Sequence, residues 1–442
     1  MAGRKSDKTP EKPKRPTRPR VERKELPGEL NPQAIVTKFF GDQNLSRKAV
    51  EFDDMDDIES ILEDLDPIGD LTELFEDNGA EMIDVPVLQP AALFIDTAGE
   101  DIRRRLFVTQ DDEGNEYCLR PDFTVPVCRL YLDADLIGEP VALAYHGPVF
   151  RQLPGESGEF DQAGIERLGD PDRPRTDAEV LRLAFDALEV FGLVDPVVKI
   201  GDEGLFTAVM EALGLAPAWR RRLRAHFGDR TRLEATIDRL MAGGKSEIVA
   251  HAGFLGAIAG GNPAAAQQVV EDLLAIAGIK TVGGRSAHEI AERFLEQAAL
   301  GAEGGLSPEK AAILRRFLDI QGDPDTAADL LDVFRLETGL DLDMALSTFR
   351  ARLRAMRAVG IDASQLTFAA DFGRQLDYYT GFVFEMRDPA REDDKPVLGG
   401  GRYDGLLQRL GSAEMVPACG FSMWLDRLSL ELDVDIDLAD FS

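Results

Sequence analysis

Apolar and polar residues alternate along several short segments in the first half of the chain. Four segments with this strand-like alternation cover residues 104–109, 116–119, 141–150 and 162–168. Short polar stretches such as 111–115 separate them, and strands joined in this way pair antiparallel more naturally than parallel. Strand character returns near Leu366 and at 418–423. We therefore predict an α+β fold with an antiparallel sheet and flanking helices.

Helical spacing of apolar residues dominates between residues 176 and 361. Residues 51–77 also have helical spacing, with thirteen Asp and Glu and no Lys or Arg. We interpret them as an acidic helix with a solvated face, because they lack the Asp-x-Asp-x-Asp-Gly turn of a calcium loop. Residues 1–24 hold ten Lys and Arg against three acids. They are predicted to be a disordered tail, and the alternative is electrostatic docking to an acidic surface or nucleic acid.

Composition narrows the function classes. The chain has 442 residues, and 81 Asp and Glu against 50 Lys and Arg give a formal net charge of −31, which repels phosphate backbones and argues against tRNA as a partner. Three cysteines without a CxxC pair fit a reducing compartment, so we expect a cytoplasmic protein. No apolar run is long enough to span a membrane. The four histidines are too far apart to predict a metal site.

The segment 372–385 places polar side chains at the edge of an otherwise apolar strand. Arg374 offers a bidentate fork to a carboxylate. Tyr378 and Tyr379 alternate across the predicted strand, so that only one of them faces the same pocket as Arg374. Taken alone, such a tyrosine is as well explained by a core position with a hydrogen-bonded hydroxyl.

Two further segments carry paired polar residues. Asp122 and Thr124 lie two apart on a segment that we expect to be extended, and Gln162 and Glu166 lie four apart on a predicted strand. Each even spacing puts both members of a pair on one face, where they could surround a cationic ligand. Each residue alone is better explained as an exposed carboxylate or a satisfied amide.

The glycine-rich segment 399–405 contains Tyr403. It lacks the Lys-Ser/Thr that follows a phosphate-binding Walker loop, and no preceding βαβ pattern supports a dinucleotide loop. We therefore do not interpret it as a phosphate cradle.

Together these four segments resemble histidyl-tRNA synthetases. The segments 119–124, 160–166, 374–379 and 400–405 are similar to that family's Leu-Arg-Pro-Glu-x-Thr, Phe-x-Gln-x-Gly-x-Glu, Arg-Gly-Leu-Asp-Tyr-Tyr and Gly-Gly-Arg-Tyr-Asp-Gly. The resemblance implies a class II aminoacyl-tRNA synthetase-like fold. It also implies a histidine site formed by Asp122, Thr124, Gln162, Glu166, Arg374, Tyr378, Tyr379 and Tyr403, with Tyr379 as the tyrosine that faces the ligand and Asp122 in place of the family's usual Glu.

The departures from that family concern its nucleotide site. After Phe150-Arg151 the usual Glu is missing, and the loop carries Glu156 and Glu159 where a basic loop would bind ATP. An acidic loop opposes triphosphate binding, so we expect no adenylation. Trp424 stands where the third motif usually has glycine. Arg151 and Arg427 remain as anion-binding candidates, and neither a catalytic residue nor a cofactor is predicted.

Only fifteen residues follow Arg427, too few for an anticodon-binding domain, so none is expected. This combination resembles the regulatory subunits of ATP phosphoribosyltransferase. That family implies a non-catalytic protein that activates a short-form catalytic subunit, confers feedback inhibition by L-histidine, and forms a homodimer within a larger hetero-oligomer. The alternatives are a truncated synthetase-like enzyme that adenylates or transfers histidine, and a pure binding module.

The resemblance also suggests a domain organisation. We predict a basic, disordered extension at 1–50 and the first part of a synthetase-like core at 51–206, including the acidic helix. A mainly helical insertion follows at 207–345, and the second part of the core at 346–442.

Overall fold

The computed structural model describes residues 66–95, 97, 102–153, 155, 157–242, 272, 281–282, 285–286, 306–374, 376 and 378–428. The basic extension predicted at 1–50 lies outside the described residues, as do Glu156, most of the acidic segment before Pro67, and most of 243–305. Residues 67–77, at the end of the predicted acidic helix, are helical as expected.

Fourteen strands occur in the described part of the chain. They are β1 (Glu81–Met82), β2 (Leu88–Pro90), β3 (Val108–Gln110), β4 (Glu116–Leu119), β5 (Val141–Phe150), β6 (Glu159–Leu168), β7 (Val197–Asp202), β8 (Thr281–Val282), β9 (Arg285–Ser286), β10 (Gln321–Gly322), β11 (Leu366–Ala369), β12 (Phe382–Arg387), β13 (Leu398–Arg402) and β14 (Ala418–Trp424).

The helices of the same residues are α1 (Pro67–Asp77), α2 (Ala92–Ile95), α3 (Thr124–Asp133), α4 (Arg173–Val190), α5 (Glu203–Ala212), α6 (Pro217–Arg224), α7 (Arg230–Met241), α8 (Pro308–Leu318), α9 (Pro324–Thr338), α10 (Asp343–Ala358) and α11 (Leu406–Arg409). Side-chain caps explain several of the helix starts. Asp202 accepts hydrogen bonds from Gly204 N and Leu205 N at the start of α5, and Asp323 does the same for α9, which ends at the left-handed Gly339. None of the helices in the described ranges is long and apolar enough to cross a membrane.

A nine-stranded sheet in the order β1-β5-β6-β14-β13-β12-β7-β11-β10 forms the centre of the fold. Its neighbouring strands run antiparallel except β1–β5 and β7–β11, which are parallel. A second sheet, β2-β4-β3, is antiparallel throughout. The predicted α+β fold with a largely antiparallel sheet and flanking helices is therefore confirmed.

The central sheet separates two hydrophobic cores. Alternation along β12 sends Phe382 and Phe384 into the core beneath the long helices, whereas Val383 enters a second core. On β6, Ile165 enters the helix-side core, and Glu166 points to the opposite face. The second core, which includes Tyr145, lies on the face where the polar residues of the candidate site gather.

Strand boundaries follow the sequence prediction unevenly. Segments 116–119 and 141–150 coincide with β4 and β5, and 162–168 is the last part of β6. The strand predicted at 104–109 is wrong in its extent, because only the last two of these residues belong to β3. Helices α6, α7, α8 and α9 fall within the predicted insertion 207–345, and β10 of the same range adds an edge strand to the central sheet. The domain boundaries themselves stay a prediction.

Candidate functional site

A small cavity lies on the face of the central sheet that bears Glu166. Eight of the ten predicted side chains line it: Asp122, Thr124, Arg151, Glu166, Arg374, Tyr378, Tyr379 and Tyr403. Leu376, Gly420, Phe421, Ser422 and Trp424 complete the lining. Gln162 and Arg427 do not reach it.

Glycines of the central sheet lie against the charged groups of the cavity. Tyr145, Gly164, Ser422 and Gly399 form one row of paired residues across β5, β6, β14 and β13. A Cβ atom at Gly399 would overlap the Arg374 guanidinium, and one at Gly420 would overlap the Glu166 carboxylate. Glycine at these positions therefore leaves the space that the charged groups occupy.

Glu166 is the most enclosed acid of the site, with 1% of its surface exposed. Its carboxylate accepts hydrogen bonds from Thr124 Oγ1 at 2.7 Å, from the Tyr145 hydroxyl at 3.1 Å and from the Tyr403 hydroxyl. Burial raises the pKa of Glu166 to about 7, although the three hydroxyl donors oppose that shift. The sequence prediction missed Tyr145, which no motif marks and which only the pairing of β5 with β6 brings to Glu166.

Asp122 lies beside Glu166 but has fewer partners. Its Oδ1 accepts a hydrogen bond from Val125 N at 3.2 Å, and its buried Oδ2 has no partner among the described residues. Burial raises the pKa of Asp122, and the charge of Arg151 opposes this. The prediction that Asp122 and Thr124 lie on one extended segment is wrong, because Thr124 is the first residue of α3. Both residues still line the cavity, since the chain turns into the helix between them.

Tyr378 and Tyr379 do not lie on a strand, so the prediction that only one of them faces the pocket is wrong. Both line the cavity, and their ring centroids are 5.0 Å apart. Tyr403 packs edge-on against both, at 5.8 and 6.4 Å. Burial raises the pKa of Tyr379 to about 12, so its hydroxyl keeps its proton at neutral pH. The three rings form an aromatic wall with neutral hydroxyls.

Two arginines supply the positive charge of the cavity. Arg374 Nη1 donates to the Phe384 carbonyl at 3.5 Å, and its guanidinium lies 5.8 Å from the centroid of the Trp424 ring. Arg151 Nε donates to the Pro121 carbonyl at 2.7 Å. Burial lowers the pKa of Arg151, and the neighbouring Asp122 opposes this. An arginine remains charged at neutral pH in either case.

Several buried polar atoms near the cavity have no hydrogen-bond partner in the described part of the protein. The described residues contain seven such side-chain atoms in all. Four of them belong to predicted binding residues: Asp122 Oδ2, Gln162 Oε1, Gln162 Nε2 and Arg374 Nε. Gln162 is 1% exposed and pairs with Trp424 across β6 and β14, four residues before Glu166 on the same strand. Unpaired buried polar atoms are costly, and two of these four belong to residues that line the cavity, Asp122 and Arg374.

The two anion-binding candidates are not brought together. Arg427 lies 4.5 Å from the centroid of the Trp424 ring, and its Nη1 donates to the Pro396 carbonyl. The Trp424 ring therefore contacts the guanidinium groups of both Arg374 and Arg427. Of these two arginines, only Arg374 lines the cavity. Within the described residues, no three His, Cys, Asp or Glu side chains are grouped as metal ligands.

Comparison with known proteins shows the family of the chain. The family model for histidyl-tRNA synthetase matches residues 66–282 and 264–428. An ATP phosphoribosyltransferase regulatory subunit from Agrobacterium fabrum is 40% identical over 364 residues, which cover 81% of this chain and 95% of that protein. The chain belongs to this regulatory-subunit family. A regulatory subunit from Brucella canis is 39% identical over 351 residues, covering 79% of this chain and 92% of the relative.

Solved structures agree with the regulatory-subunit family in fold. An ATP phosphoribosyltransferase regulatory subunit/histidyl-tRNA synthetase from Bacillus halodurans superposes with a TM-score of 0.56 at 23% identity, covering 82% of this chain and 77% of that one. Histidyl-tRNA synthetase from Nostoc gives a TM-score of 0.54 at 19% identity, with coverages of 85% and 71%. The expected class II synthetase-like fold is therefore confirmed.

Proposed function

We propose that this regulatory subunit of ATP phosphoribosyltransferase binds L-histidine in the cavity and is itself non-catalytic. It activates a short-form catalytic subunit, which carries out the phosphoribosyl transfer, and makes that reaction sensitive to histidine. The observation that carries the proposal is the pair of unpartnered buried atoms, Asp122 Oδ2 and Arg374 Nε, on two residues that line one cavity.

These groups match the polar groups of histidine. The Arg374 guanidinium offers donors to an α-carboxylate, and the free Oδ2 of Asp122 offers an acceptor to an α-ammonium. Glu166 offers an acceptor to an imidazole N–H, and the rings of Tyr379 and Tyr403 supply flat apolar surface beside it. Each ligand group would therefore satisfy a protein group that the fold leaves unpaired or buried.

The proposed lack of catalysis rests on the surroundings of Trp424. Its indole lines the cavity and lies in contact with both Arg374 and Arg427, where the related synthetases have a glycine beside the nucleotide. An indole at this point fills volume that an adenylate would need. Adenylation also requires positive charge around the transferring phosphoryl group, and Arg427 is held outside the cavity.

Regulation follows from linkage. If histidine binds one arrangement of the complex more tightly, it shifts the catalytic subunit by the same coupling free energy, about 1–3 kcal/mol in typical allosteric systems. The catalytic subunit must then change histidine affinity by the same factor. This reciprocity is testable without a structure of the complex.

The first experiment is calorimetric titration of the purified protein with L-histidine, followed by ATP. We expect micromolar histidine binding and no heat from ATP. Histidinol, which lacks the carboxylate, is the matched ligand control and should bind at least about tenfold more weakly, because Arg374 loses its anionic partner. Absence of histidine binding would refute the proposal, and histidine-dependent ATP–pyrophosphate exchange would replace it with an adenylating enzyme.

The second experiment adds a purified short-form catalytic subunit. Histidine should inhibit phosphoribosyl transfer only when the regulatory subunit is present, and Asp122→Asn in the regulatory subunit should raise the inhibitory concentration. Inhibition that is the same with and without the regulatory subunit would contradict the proposed role.

A homodimer within a larger hetero-oligomer is part of the proposal. Exposed apolar side chains follow the small β2-β4-β3 sheet, with Val87, Leu88 and Val108 at 37%, 49% and 52% exposure. Such a surface is suited to a self-complementary contact. Analytical ultracentrifugation should give a dimer that Leu88→Asp dissociates, whereas the exposed Val194→Asp leaves it intact. A monomeric wild-type protein would remove this part of the proposal.

A further inference from the structure

Two buried carboxylates face the cavity outside any ion pair of the described residues, although the charge of Arg151 acts on Asp122. Asp122 and Glu166 are 4% and 1% exposed, and no ion pair joins either of them to a described Arg or Lys. A buried carboxylate without a cation is unfavourable in its ionised form. The ligand is therefore expected to bring positive charge to both.

The acceptor sites of Glu166 leave room for one more donor. Oε1 accepts from Thr124 and Tyr145, and Oε2 accepts from Tyr403. A carboxylate has about four acceptor positions, so one remains open, on Oε2. The three hydroxyls fill the other positions and hold the carboxylate in place. A ligand N–H could occupy the open position.

Resting on the proposed histidine binding, we propose that the cavity takes histidine with a proton shared between its imidazole and the Glu166 carboxylate, so that binding is proton-coupled. The bound ligand then carries an ammonium for Asp122, a carboxylate for Arg374 and an imidazolium for Glu166. One proton bridges the imidazole nitrogen and Oε2 whichever partner brought it. When neither partner carries it, the proton comes from solvent.

The surroundings of Glu166 suit this shared proton. The titratable and charged groups that face it from the neighbouring elements are Asp122, Cys128, Tyr145, Arg151, Arg374, Tyr378, Tyr379 and Tyr403. Burial raises the pKa values of the thiol and of the four phenols, so these groups remain neutral near pH 7. Burial also raises the pKa of Asp122.

The direction in which histidine affinity changes with pH follows from the pKa values of ligand-free Glu166 and of unbound histidine. Free Glu166 has a pKa of about 7, and a histidine imidazole has a pKa of about 6.5. Below both values each partner carries a proton and binding must release one. Above both values Glu166 is ionised and the imidazole is neutral with a single N–H, so formation of the imidazolium pair must take up one proton. Affinity should therefore peak between about pH 6.5 and 7 and fall roughly tenfold by about pH 8.5.

The test is calorimetry of the full chain with L-histidine at about pH 5.5, 7 and 8.5, in buffers of different ionisation enthalpy. We expect release of about one proton at the lowest pH, little net exchange near pH 7, and uptake of about one at the highest. Histidine binding at pH 7 without this exchange would overturn the inference and leave the proposed function intact. Absence of binding at every pH would refute both.

Two isosteric variants test whether the exchanged proton is held at Glu166 or at Asp122. Glu166→Gln should weaken histidine binding and abolish proton uptake at about pH 8.5, whereas Asp122→Asn should weaken binding yet keep the uptake. The reverse result would overturn the assignment to Glu166. Tyr145→Phe provides a gentler variant: it removes one donor to the carboxylate, raises the pKa of Glu166 and should move the alkaline fall in affinity to higher pH. An unmoved midpoint would contradict the inference.

Discussion

Arg402 and Tyr403 are neighbours in the chain, yet their side chains enter two buried polar clusters of opposite character. Arg402 donates to Asp177 and Asp404, and Arg352 donates to Asp177 at 2.7 Å and Asp202 at 2.6 Å. None of these side chains has an unpartnered buried atom among the described residues. Tyr403 instead enters the cavity, where several buried atoms lack partners.

Two buried aspartates show the difference most clearly. Burial alone would raise the pKa of Asp177, but Arg402 and Arg352 outweigh it and hold that pKa below its ordinary value. Burial raises the pKa of Asp122, because Arg151 and one backbone N–H do not compensate. The ion cluster satisfies its charges within the protein and serves the fold. The cavity leaves its charges for a ligand.

The largest expected effect is on the ion cluster. Arg352→Met should lower the free energy of unfolding by about 3–5 kcal/mol. The change leaves buried Asp202 without its ion pair to Arg352, and Asp177 keeps only the pair with Arg402. Arg357→Ala, on the same helix, removes only an exposed pair with Asp325 and should cost less than about 1 kcal/mol. Urea denaturation measures both. Equal losses would mean that the buried cluster is not a special source of stability.

The matched change in the cavity should have the opposite effect on stability. Because the folded-state pKa of Asp122 lies above the unfolded value, stability falls as the pH rises from the unfolded pKa to the folded pKa, and the full cost is present above both. Asp122→Asn should therefore leave the ligand-free protein at neutral pH as stable as the wild type or more stable by about 1 kcal/mol. Histidine affinity should fall about 10- to 100-fold.

Asp177→Asn is the control for that change and should be destabilising in the same urea assay. If both aspartate variants lower stability equally, the contrast between a complete and an incomplete cluster fails. Calorimetry with L-histidine supplies the second measurement.

Gly399, which lies against the Arg374 guanidinium, gives a smaller effect that is confined to the cavity. Gly399→Ala would push its methyl group into the Arg374 guanidinium, whereas Gly405→Ala meets only Thr380 Cγ2 at 3.5 Å. We expect Gly399→Ala to weaken histidine binding about tenfold and Gly405→Ala to leave it unchanged. Calorimetry decides between them, and a Gly399→Ala protein with wild-type affinity would show that Arg374 does not contact the ligand.

The smallest effect is expected at Arg427. Arg427 is not part of the cavity lining, although it contacts Trp424 and donates to the Pro396 carbonyl, so Arg427→Ala should change histidine affinity less than about twofold. Arg374→Ala is the comparison, because that guanidinium lines the cavity. A tenfold loss on removal of Arg427 would place it in the site and restore it as an anion-binding residue.

Much of the candidate site was predictable, although the reasons were not always right. The resemblance identified Asp122, Thr124, Tyr378 and Tyr379, and all four line the cavity. The strand periodicity invoked for them was wrong, because one pair straddles a helix start and the other lies on irregular backbone. A family motif carries information about three-dimensional neighbours that residue spacing lacks.

The sequence by itself determined the local elements and the chemical types of the site. The strand-like pattern was sufficient to place β4 and β5, although β5 buries residues on both of its faces. Only the tertiary structure decided which polar atoms find partners. The bond from Tyr403 to Glu166 joins residues 237 positions apart, and the overlap that excludes a side chain at Gly420 arises across two strands. Which hydrogen bonds form, and where a side chain has room, both depend on contacts between residues far apart in the chain, which no local pattern encodes.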